Sequence, residues 1–240
     1  MFAILRTKRI KNSQKFSQMC QHNLRDRTEK EKNIDVSKSH KNEILIDEFD
    51  LQSSKEFGRG YAKKLTESYD KLEIKQRKDA VQAMEFVLTA SPEFFEKATQ
   101  KEQKDWVNHQ ILFAKKEFGK NLKFAVLHLD ESTTHIHLAI STEETKVQKF
   151  KNRYGICEKK VISLNAKRFN RDYLKDLHTR YAEHNKKFGL RRGVENSEAD
   201  HTDLKTHRKD VSAASAADYT KEVNKQINKE FGGKNLLGLP

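Results

Sequence analysis

One decapeptide, flanked by two short apolar runs, constrains the fold of this chain more than any other part of the sequence. Residues 128–137 read His-Leu-Asp-Glu-Ser-Thr-Thr-His-Ile-His, and the apolar runs lie at 124–127 and 138–140. Two apolar runs of this length, joined by a polar turn at 131–134, are typical of two neighbouring strands. The link is too short for a crossover, so the two strands must be antiparallel.

The histidines of this hairpin are expected to lie on one face of the sheet. Side chains alternate between the two faces along a strand, so His135 and His137 point the same way, and His128 and Asp130 share that face on the partner strand. Three imidazoles bind a metal ion while leaving positions open for water and a substrate oxygen, as a catalytic site requires. The alternative, in which these polar residues only cap a hairpin, does not account for three converging histidines.

The charge balance of the chain points to a polyanionic partner. Its 240 residues carry 48 Lys and Arg against 35 Asp and Glu, a net charge of +13, and nucleic acid is the first candidate for such a surface. A membrane surface is the rival, but no apolar stretch approaches the roughly 18–20 residues of a spanning helix.

The apolar run at the N-terminus is too short for a signal peptide, so we expect a cytoplasmic protein. Cys20 and Cys157 stand far apart and are expected to be free thiols.

The rest of the sequence alternates between strand and helix patterns, and no internal repeat is evident. Because the hairpin is antiparallel and helices are expected to pack on its sheet, the fold class is α+β, with a helical C-terminal extension. Before the hairpin we expect a strand over 2–7, a helix capped by Asn12 or Ser13 that runs to about Arg25, a charged loop over 26–42 and a short strand at 44–46. A helix over 53–74, a buried strand over 80–90, a helix that begins at Ser91 and a helix over 99–118 complete this half. After the hairpin we expect a polar link, an edge strand at 161–164, a helix over 168–187 and a last helix over 214–231.

Further short motifs surround the hairpin in an order that is typical of one family. His22-Asn23-x-Arg25 comes before the hairpin motif His-x-Asp-Glu-x-x-x-His-x-His. Together they resemble the motifs of the MobV-type plasmid mobilization relaxases, also called Pre/Mob or plasmid recombination enzymes, within the HUH-like histidine-metal endonucleases. The resemblance covers about residues 1–205, which we expect to form a relaxase domain, followed by a helical extension over 206–240. It also includes Asn33-Ile34-Asp35, Ser37-x-Ser39-His40-x-Asn42, Arg77-Lys78-Asp79-Ala80-Val81 with the downstream Glu85, and Arg192-Gly193 with Asn196-Ser197-Glu198-Ala199 and His201.

Two positions depart from the family's pattern. Thr134 stands where the family usually has Pro before the paired histidines, which costs rigidity in the turn but no metal ligand. Glu43 follows Asn42 where the family commonly has Tyr, so a tyrosine nucleophile at that position is excluded.

What the resemblance implies is a site- and strand-specific DNA endonuclease and strand transferase that starts conjugative mobilization of a plasmid. His22 would attack the scissile phosphorus at an origin of transfer, keep the 5′ phosphate on the protein and release a 3′ hydroxyl. His128, His135 and His137 would bind a divalent metal ion that neutralises charge on the phosphate oxygens. Imidazole ligands favour manganese, and magnesium, which prefers oxygen ligands, is the alternative.

Four charged residues are expected to support the nucleophile and the metal ligands. Glu131 is expected to orient His22, and Asp130 to orient a liganding histidine, but strand parity allows these two roles to be exchanged. Arg25, one helical turn after His22, would reach the same scissile phosphate. Glu85 lies on an apolar strand and either approaches the active site or faces solvent.

The expected partner is plasmid DNA at an origin of transfer, in single-stranded or hairpin form. The resemblance also implies a conjugative coupling protein and a second copy of the chain as partners. The basic runs at 149–153 and 167–171 are expected to contact phosphates in part, and Tyr154 to stack on an unpaired base. We assign DNA contacts to Arg25, Asn23, Arg77, His40 and Asn42, with a merely solvated charge as the equal alternative for Arg77.

Two other functions are compatible with the sequence. A rolling-circle replication initiator or transposase uses the same histidine-metal architecture with a tyrosine nucleophile, for which Tyr173 and Tyr181 are available. A non-catalytic DNA-binding protein would hold a structural ion with the same histidines. A covalent DNA adduct that depends on His22 separates the relaxase from the tyrosine enzymes, and DNA cleavage with metal excludes the simple binding protein.

Overall fold

Two antiparallel sheets and five α-helices make up the described part of the chain. The computed structural model describes residues 1–26, 33–50 and 59–193, and no helix within them is long and apolar enough to cross a membrane. The strands are β1 (Ala3–Ile10), β2 (Glu43–Asp47), β3 (Ala83–Ala90), β4 (Leu122–His128), β5 (His135–Ser141), β6 (Glu143–Asn152) and β7 (Gly155–Leu164). The helices are α1 (Ser13–Asn23), α2 (Arg59–Lys71), α3 (Pro92–Lys97), α4 (Gln100–Phe118) and α5 (Arg171–His184), with 3₁₀ turns at Val36–Lys41, Gly119–Asn121 and Lys186–Phe188.

The larger sheet has five strands in the order β1-β3-β5-β4-β2, and every neighbouring pair in it is antiparallel. β4 and β5 form the predicted hairpin, in a register that sets His128 opposite His135. Helices pack on both faces, so the predicted α+β class is confirmed. The helix predicted over 214–231 and the first residues of the helix predicted over 53–74 lie outside the described residues.

One face of the five-stranded sheet is covered by α4 and α5 and holds the larger part of the core. The ring of Phe86 on β3 lies 4.9 Å from that of Phe118 on α4 and 5.8 Å from that of Phe169, just before α5. α4 begins at a capping box, in which Thr99 and Glu102 satisfy each other's backbone N–H groups. Because burial of apolar surface is the main favourable term in folding, this face supplies most of the stability of the domain.

The opposite face is only partly covered, by α1 and α2. Phe16 of α1 and Tyr61 and Leu65 of α2 share one buried cluster with Val126 and Ala139 of the sheet. The remainder of this face carries the three histidines of the hairpin. The packing of α1 brings its C-terminal end beside them, and this placement creates the site.

A long two-stranded ribbon occupies the region where the sequence predicts a polar link and an edge strand at 161–164. β6 and β7 pair from Glu143↔Leu164 to Asn152↔Gly155, as a separate sheet. The strand predicted at 161–164 is the end of β7 and is confirmed, but the polar link predicted before it is wrong. Strand recognition relies on alternation of apolar and polar residues, whereas the outer part of β6 is exposed on both faces. Two smaller differences are the helical turn Val36–Lys41 inside the predicted loop and the start of β3 at Ala83 instead of residue 80.

Candidate active site

Three imidazole rings meet on the open face of the hairpin. The ring centroids of His128, His135 and His137 lie between 4.8 and 5.0 Å apart, and all three residues are buried. Nδ1 of His128 lies 3.2 Å from Nε2 of His135. The parity argument from the sequence therefore describes the observed arrangement of these side chains.

Each of the three rings has one nitrogen occupied by an acceptor on the outer side of the cluster. Nε2 of His128 donates to the Asn23 carbonyl at 3.0 Å, and Nδ1 of His135 donates to the Thr133 carbonyl at 2.7 Å. Nδ1 of His137 lies 3.0 Å from Oε1 of Glu85 and donates to that carboxylate. A neutral imidazole has one N–H, so the second nitrogen of each ring keeps a lone pair, as a metal ligand must.

The surroundings keep the imidazoles of His128 and His135 neutral. Burial, followed by the charges of His137 and Arg25, holds the pKa of His128 far below its usual value. Burial and the neighbouring His137 lower the pKa of His135 to about 4. Since only the neutral ring binds a cation, the cluster is prepared for a metal ion at neutral pH.

Glu85 is the ionised partner of His137. Burial raises the pKa of its carboxyl, but the hydrogen bond from His137 and the nearby positive charge of Lys8 outweigh burial and leave the pKa below its usual value. Of the two positions that the sequence allows for Glu85, the structure shows the one at the site.

His22 lies on the last turn of α1, next to the cluster. Its ring centroid is 5.4 Å from that of His137 and 5.7 Å from that of His128. One nitrogen from each of these three residues falls in a set of atoms that all lie within 4.8 Å of one another, and one ligand atom each from His128, Glu131 and His135 forms a second such set. The predicted nucleophile therefore lies close to two of the predicted metal ligands, His128 and His137, whereas the third, His135, falls in the second set with His128 and Glu131.

Glu131 stands between His22 and the metal ligands. Its Oε1 lies 3.9 Å from Nε2 of His22, 3.7 Å from Nδ1 of His128 and 3.8 Å from Nε2 of His135. Asn33 fixes the other oxygen, with Nδ2 to Oε2 at 2.7 Å. Of the two carboxylates in the turn, Glu131 is therefore the one next to the predicted nucleophile.

Arg25 joins the end of α1 to the turn of the hairpin. Its guanidinium donates to both oxygens of Asp130, at 2.8 and 2.5 Å, and to Oε1 of Glu131 at 2.8 Å. A fourth bond, of 3.0 Å, goes to the His22 carbonyl. α1 ends at Asn23 and Arg25 has a φ of +62°, so the residue is not one helical turn beyond His22 as the sequence suggests.

Asp130 holds this network together and does not touch a histidine among the described residues. Its contacts are the Arg25 guanidinium and the Ser39 hydroxyl, which donates to Oδ2 at 2.6 Å. Burial raises the pKa of Asp130, but the hydrogen bonds from Arg25 and Ser39 outweigh burial and hold the pKa well below its usual range. The expectation that Asp130 orients a liganding histidine does not match these contacts.

The remaining predicted residues are spread from the site outward. Asn23 is buried, and neither polar atom of its amide has a partner within the described residues. Oδ1 of Asn42 accepts from the Leu129 N–H at 2.8 Å, while His40 is exposed and contacts the Ser37 carbonyl. Arg77 is not brought to the histidines, and lines a separate cleft.

Sequence reasoning missed three groups that complete the site. Asn33 and Ser39 stand in motif blocks that the resemblance includes, so the sequence marked these two residues. It did not predict that they contact Glu131 and Asp130. The sequence could not predict the role of the Thr133 carbonyl, because every residue has a main-chain carbonyl.

Tyr173 and Tyr181 lie on α5, which packs on the face of the sheet opposite the histidines. The Tyr173 hydroxyl donates to Glu117 at 2.8 Å, and that of Tyr181 donates to the Thr89 carbonyl at 3.1 Å. Burial, followed for Tyr173 by the Glu117 carboxylate, raises the pKa of both. Neither hydroxyl points toward the cluster of three histidines.

Known proteins share both the sequence and the fold of this chain. Residues 1–209 match the sequence family described as plasmid recombination enzyme, Mob_Pre. A plasmid recombination enzyme of Bacillus sp is 30% identical over 212 residues, which are 87% of this chain and 46% of that protein. A type 2 plasmid recombination enzyme of Staphylococcus aureus is 29% identical over 213 residues, again 46% of its length. The chain thus spans about half the length of these curated relatives.

Solved structures extend the similarity to the fold. The Mn-bound crystal structure of the MobM relaxase domain with plasmid pMV158 oriT DNA at pH 6.8 superposes with a TM-score of 0.68 and 26% identity. The match covers 87% of this chain and 98% of that domain. A second Mn-bound structure of the same domain with 22-nucleotide oriT DNA, at pH 5.5, gives a TM-score of 0.67 and 25% identity.

Proposed function

The chain belongs to the plasmid recombination enzyme family, Mob_Pre, and from this premise we propose that it is a metal-dependent relaxase that nicks one DNA strand at a plasmid origin of transfer. The observation that carries the proposal is the meeting of His22 with three imidazoles, each of which keeps one nitrogen available to a metal ion. The fold similarity to MobM, whose structures contain manganese and origin DNA, supports it.

The metal ion would be held by His128, His135 and His137. A set of three nitrogen donors fits manganese better than magnesium, because magnesium prefers oxygen ligands. When bound, the ion would neutralise charge that develops on the phosphate oxygens. Glu131, within 4 Å of two of these ligands, lies close enough to contribute an oxygen to the same ion.

His22 would be the nucleophile, and Glu131 its partner. A nitrogen of the neutral imidazole attacks phosphorus, a P–N bond forms, and the P–O3′ bond breaks, so the 5′ phosphate stays on the protein and the 3′ oxygen takes up a proton. The attack leaves positive charge on the imidazole of His22. The Glu131 carboxylate, 3.9 Å from Nε2, would stabilise that charge.

Arg25 would act as a positioning residue as well as a contact to DNA. Its bonds to the His22 carbonyl and to the two carboxylates set the distance between the nucleophile and the metal ligands. Asn23 adds to this by linking the main chain of α1 to His128. DNA contacts are also proposed for Asn23, His40 and Asn42, although the amide of Asn23 is buried and has no partner among the described residues.

Covalent capture of DNA tests the proposal. The protein is incubated with manganese and a supercoiled plasmid that carries its cognate origin, and the peptide left on the DNA is identified by mass spectrometry. We expect an adduct on His22, and loss of nicking by at least about a thousandfold in His22→Ala, since the group that forms the bond is removed. His178→Ala, which removes a histidine of α5 on the opposite face, is the matched control.

Other outcomes would favour the alternatives. An adduct on Tyr173 or Tyr181 would place the protein with the tyrosine initiators, although both hydroxyls are bound on the far face of the sheet. Failure to cleave the cognate origin with metal would leave a non-catalytic DNA-binding protein. As a relaxase, the protein would work in the cytoplasm on plasmid DNA, and a conjugative coupling protein and a second copy of the chain are proposed partners.

A further inference from the structure

Two different sets of metal-ligand atoms lie side by side in the candidate active site. Among the described residues, one set joins His22, His128 and His137, and the other joins His128, Glu131 and His135. Within each set the ligand atoms all lie within 4.8 Å of one another. The two sets share His128, so an ion bound by one set takes a ligand from the other. They differ in chemistry, because the first set offers nitrogen alone and the second contains a carboxylate.

The first set, which we call the nitrogen set, contains the proposed nucleophile. Attack on phosphorus uses the lone pair of an imidazole nitrogen, and coordination of a metal ion uses a lone pair of the same kind. One nitrogen of His22 cannot do both at the same time. An ion held by the nitrogen set would therefore block the reaction that an ion held by the other ligands supports.

His22 is anchored beside the other ligands through its main chain. Its carbonyl accepts from Arg25 at 3.0 Å, and the next carbonyl, of Asn23, accepts from Nε2 of His128 at 3.0 Å. The ring itself is less restricted, because 28% of the His22 side chain is exposed to solvent. An ion can thus reach the ring from outside, and a change of rotamer can bring the ring closer to the other two ligands without moving α1.

The other two ligands of the nitrogen set are held in a fixed orientation. Nε2 of His128 donates to the Asn23 carbonyl and Nδ1 of His137 donates to Glu85, so the remaining nitrogen of each ring keeps its lone pair. Zinc binds imidazole nitrogen at about 2.0–2.1 Å with tetrahedral geometry, which places two donor atoms about 3.4 Å apart. From separations of at most 4.8 Å, the atoms of the set need to approach by no more than about 1.4 Å.

The chemistry of the two sets separates the ions that would choose them. Imidazole nitrogen suits zinc and the later transition metals, whereas carboxylate oxygen suits manganese and magnesium. For the same ligands, affinity for zinc is also generally higher than affinity for manganese. A zinc ion therefore gains most from three imidazoles, while a manganese ion loses little when Glu131 takes the place of His22.

We propose that a nitrogen-preferring divalent ion such as zinc binds His22, His128 and His137 and holds the protein in an inactive state. The ion occupies the lone pair of the nucleophile, and it displaces manganese because both ions need His128. Removal of the ion by a chelator restores the nucleophile, since no covalent bond is formed. This inference rests on the proposed function in taking His22 as the nucleophile, whereas the ion site itself does not depend on it.

Metal affinities of variants of the whole protein test the site. The metal-free protein is titrated with Zn²⁺ in competition with a chromophoric chelator, and with Mn²⁺ by electron paramagnetic resonance, which detects the unbound ion. His22→Ala removes a ligand of the nitrogen set alone, and Glu131→Gln removes the carboxylate of the other set and keeps its size. His178→Ala, on α5, is the matched control, and thermal melting shows whether each variant keeps the fold.

We expect zinc affinity to fall at least about tenfold in His22→Ala, since loss of an outer partner of a ligand already costs this much, while manganese affinity changes by less than about twofold. Glu131→Gln should show the reverse order, with the larger loss for manganese. The control should match the parent protein for both ions.

Chemical modification of the parent protein gives a second readout that needs no substitution. Diethyl pyrocarbonate acylates an imidazole nitrogen through its lone pair, and mass spectrometry measures the rate at each histidine. With each ion at about a hundredfold excess over its dissociation constant, zinc should slow the acylation of His22 at least about tenfold, and manganese should leave the rate within about twofold of the metal-free value. The exposed His40 reports the strength of the reagent and should react equally in every sample.

Three results would overturn the proposal: unchanged zinc affinity in His22→Ala, equal losses for zinc and manganese in that variant, or equal protection of His22 by both ions. These measurements are made without DNA, so they are separate from the test of the nucleophile. A protein that never nicks DNA but loses zinc affinity in His22→Ala would refute the relaxase and retain the ion site.

A nicking assay tests the inactive state itself. Zinc added to the manganese-loaded protein should stop the formation of the His22 adduct with origin DNA, and a chelator followed by fresh manganese should restore it. Adduct formation that continues when zinc saturates the protein would refute the inactive state and leave the relaxase intact.

Discussion

At the scale of single residues, hydrogen bonds on the outer side of the cluster decide which nitrogen of each histidine is free. Two of the three acceptors are main-chain carbonyls, of Asn23 and Thr133, and only Glu85 is a side chain. A carboxylate that accepts from a liganding imidazole fixes the ring and raises its basicity. Among these three hydrogen-bond acceptors, Glu85 is therefore the one that a side-chain substitution can remove.

The substitution Glu85→Gln should weaken manganese binding by roughly ten- to a hundredfold, because the partner of His137 loses its charge but keeps its size. Calorimetric titration of the metal-free protein with Mn²⁺ measures the affinity. Glu67→Gln, at an exposed position of α2, is the control and should bind like the parent. Equal affinities in the two variants would show that the bond between Glu85 and His137 does not act on the metal.

Arg25 marks the limit of sequence reasoning at this scale. Its motif places it in the site, and its positive charge suggests a phosphate contact. Its actual partners, Asp130 and Glu131, lie 105 and 106 positions away in the sequence. The backbone bends at Arg25, where φ is +62°, and the helix pattern of the sequence does not predict this bend. A non-glycine residue in that conformation costs about 1–3 kcal/mol, which the charge-assisted hydrogen bonds that Arg25 donates to two carboxylates offset. Only the folded chain shows such contacts between distant segments.

At the scale of elements, α4 and α5 are joined by a pair of stacked histidines. The rings of His109 and His184 are 3.5 Å apart and nearly parallel, and Nε2 of each donates to the main-chain carbonyl of the other residue. Burial is the first cause that lowers the pKa of both, and Lys187 nearby adds to it. Both pKa values are depressed in the folded protein, so folding favours the neutral pair.

Acidification should therefore loosen the contact between α4 and α5. As the pH falls through about 6.5, the unfolded chain takes up protons that the folded pair resists, and stability declines until the folded pair is also protonated. We expect the difference in melting temperature between about pH 7.5 and pH 5 to be smaller in His109→Gln/His184→Gln than in the parent. His40→Gln, an exposed histidine, is the control. An identical pH dependence in all three proteins would contradict the prediction.

The two hairpins show why one element was found in the sequence and the other was not. His135 and His137 follow each other on a buried strand, where alternation with Ile136 and Leu138 gives a clear period of two. β6 and β7 are held together mainly by backbone pairing, and their side chains meet solvent. A ribbon whose side chains are mostly exposed lacks the apolar pattern that reveals core strands.

At the scale of the whole molecule, the proposed metal site connects α1 to three neighbouring strands of the sheet. β4 and β5 supply the ligands, β3 supplies Glu85, and α1 supplies the Asn23 carbonyl. An ion that binds this assembly but not the unfolded chain stabilises the whole domain.

Manganese at about a hundredfold excess over its dissociation constant should add roughly 2.7 kcal/mol to the free energy of unfolding, or about 5–10 °C to the melting temperature. Differential scanning calorimetry with Mn²⁺ and with a chelator measures the shift. In His135→Ala, compared with itself under the same two conditions, the shift should nearly vanish. A parent protein that melts at the same temperature with and without manganese would count against the site.

The division of the sheet into a covered and an open face has an evolutionary consequence. Residues of the open face and of the ribbon contact few of the large side chains that pack between the sheet, α4 and α5. Natural selection can therefore change the residues of the open face and the ribbon while it conserves the residues of the core. A lineage of such proteins is free to change the proposed DNA-binding face without first losing its thermal tolerance. Divergence among relatives should accordingly be uneven across the molecule, slow where α4 and α5 rest and fast where DNA would be read.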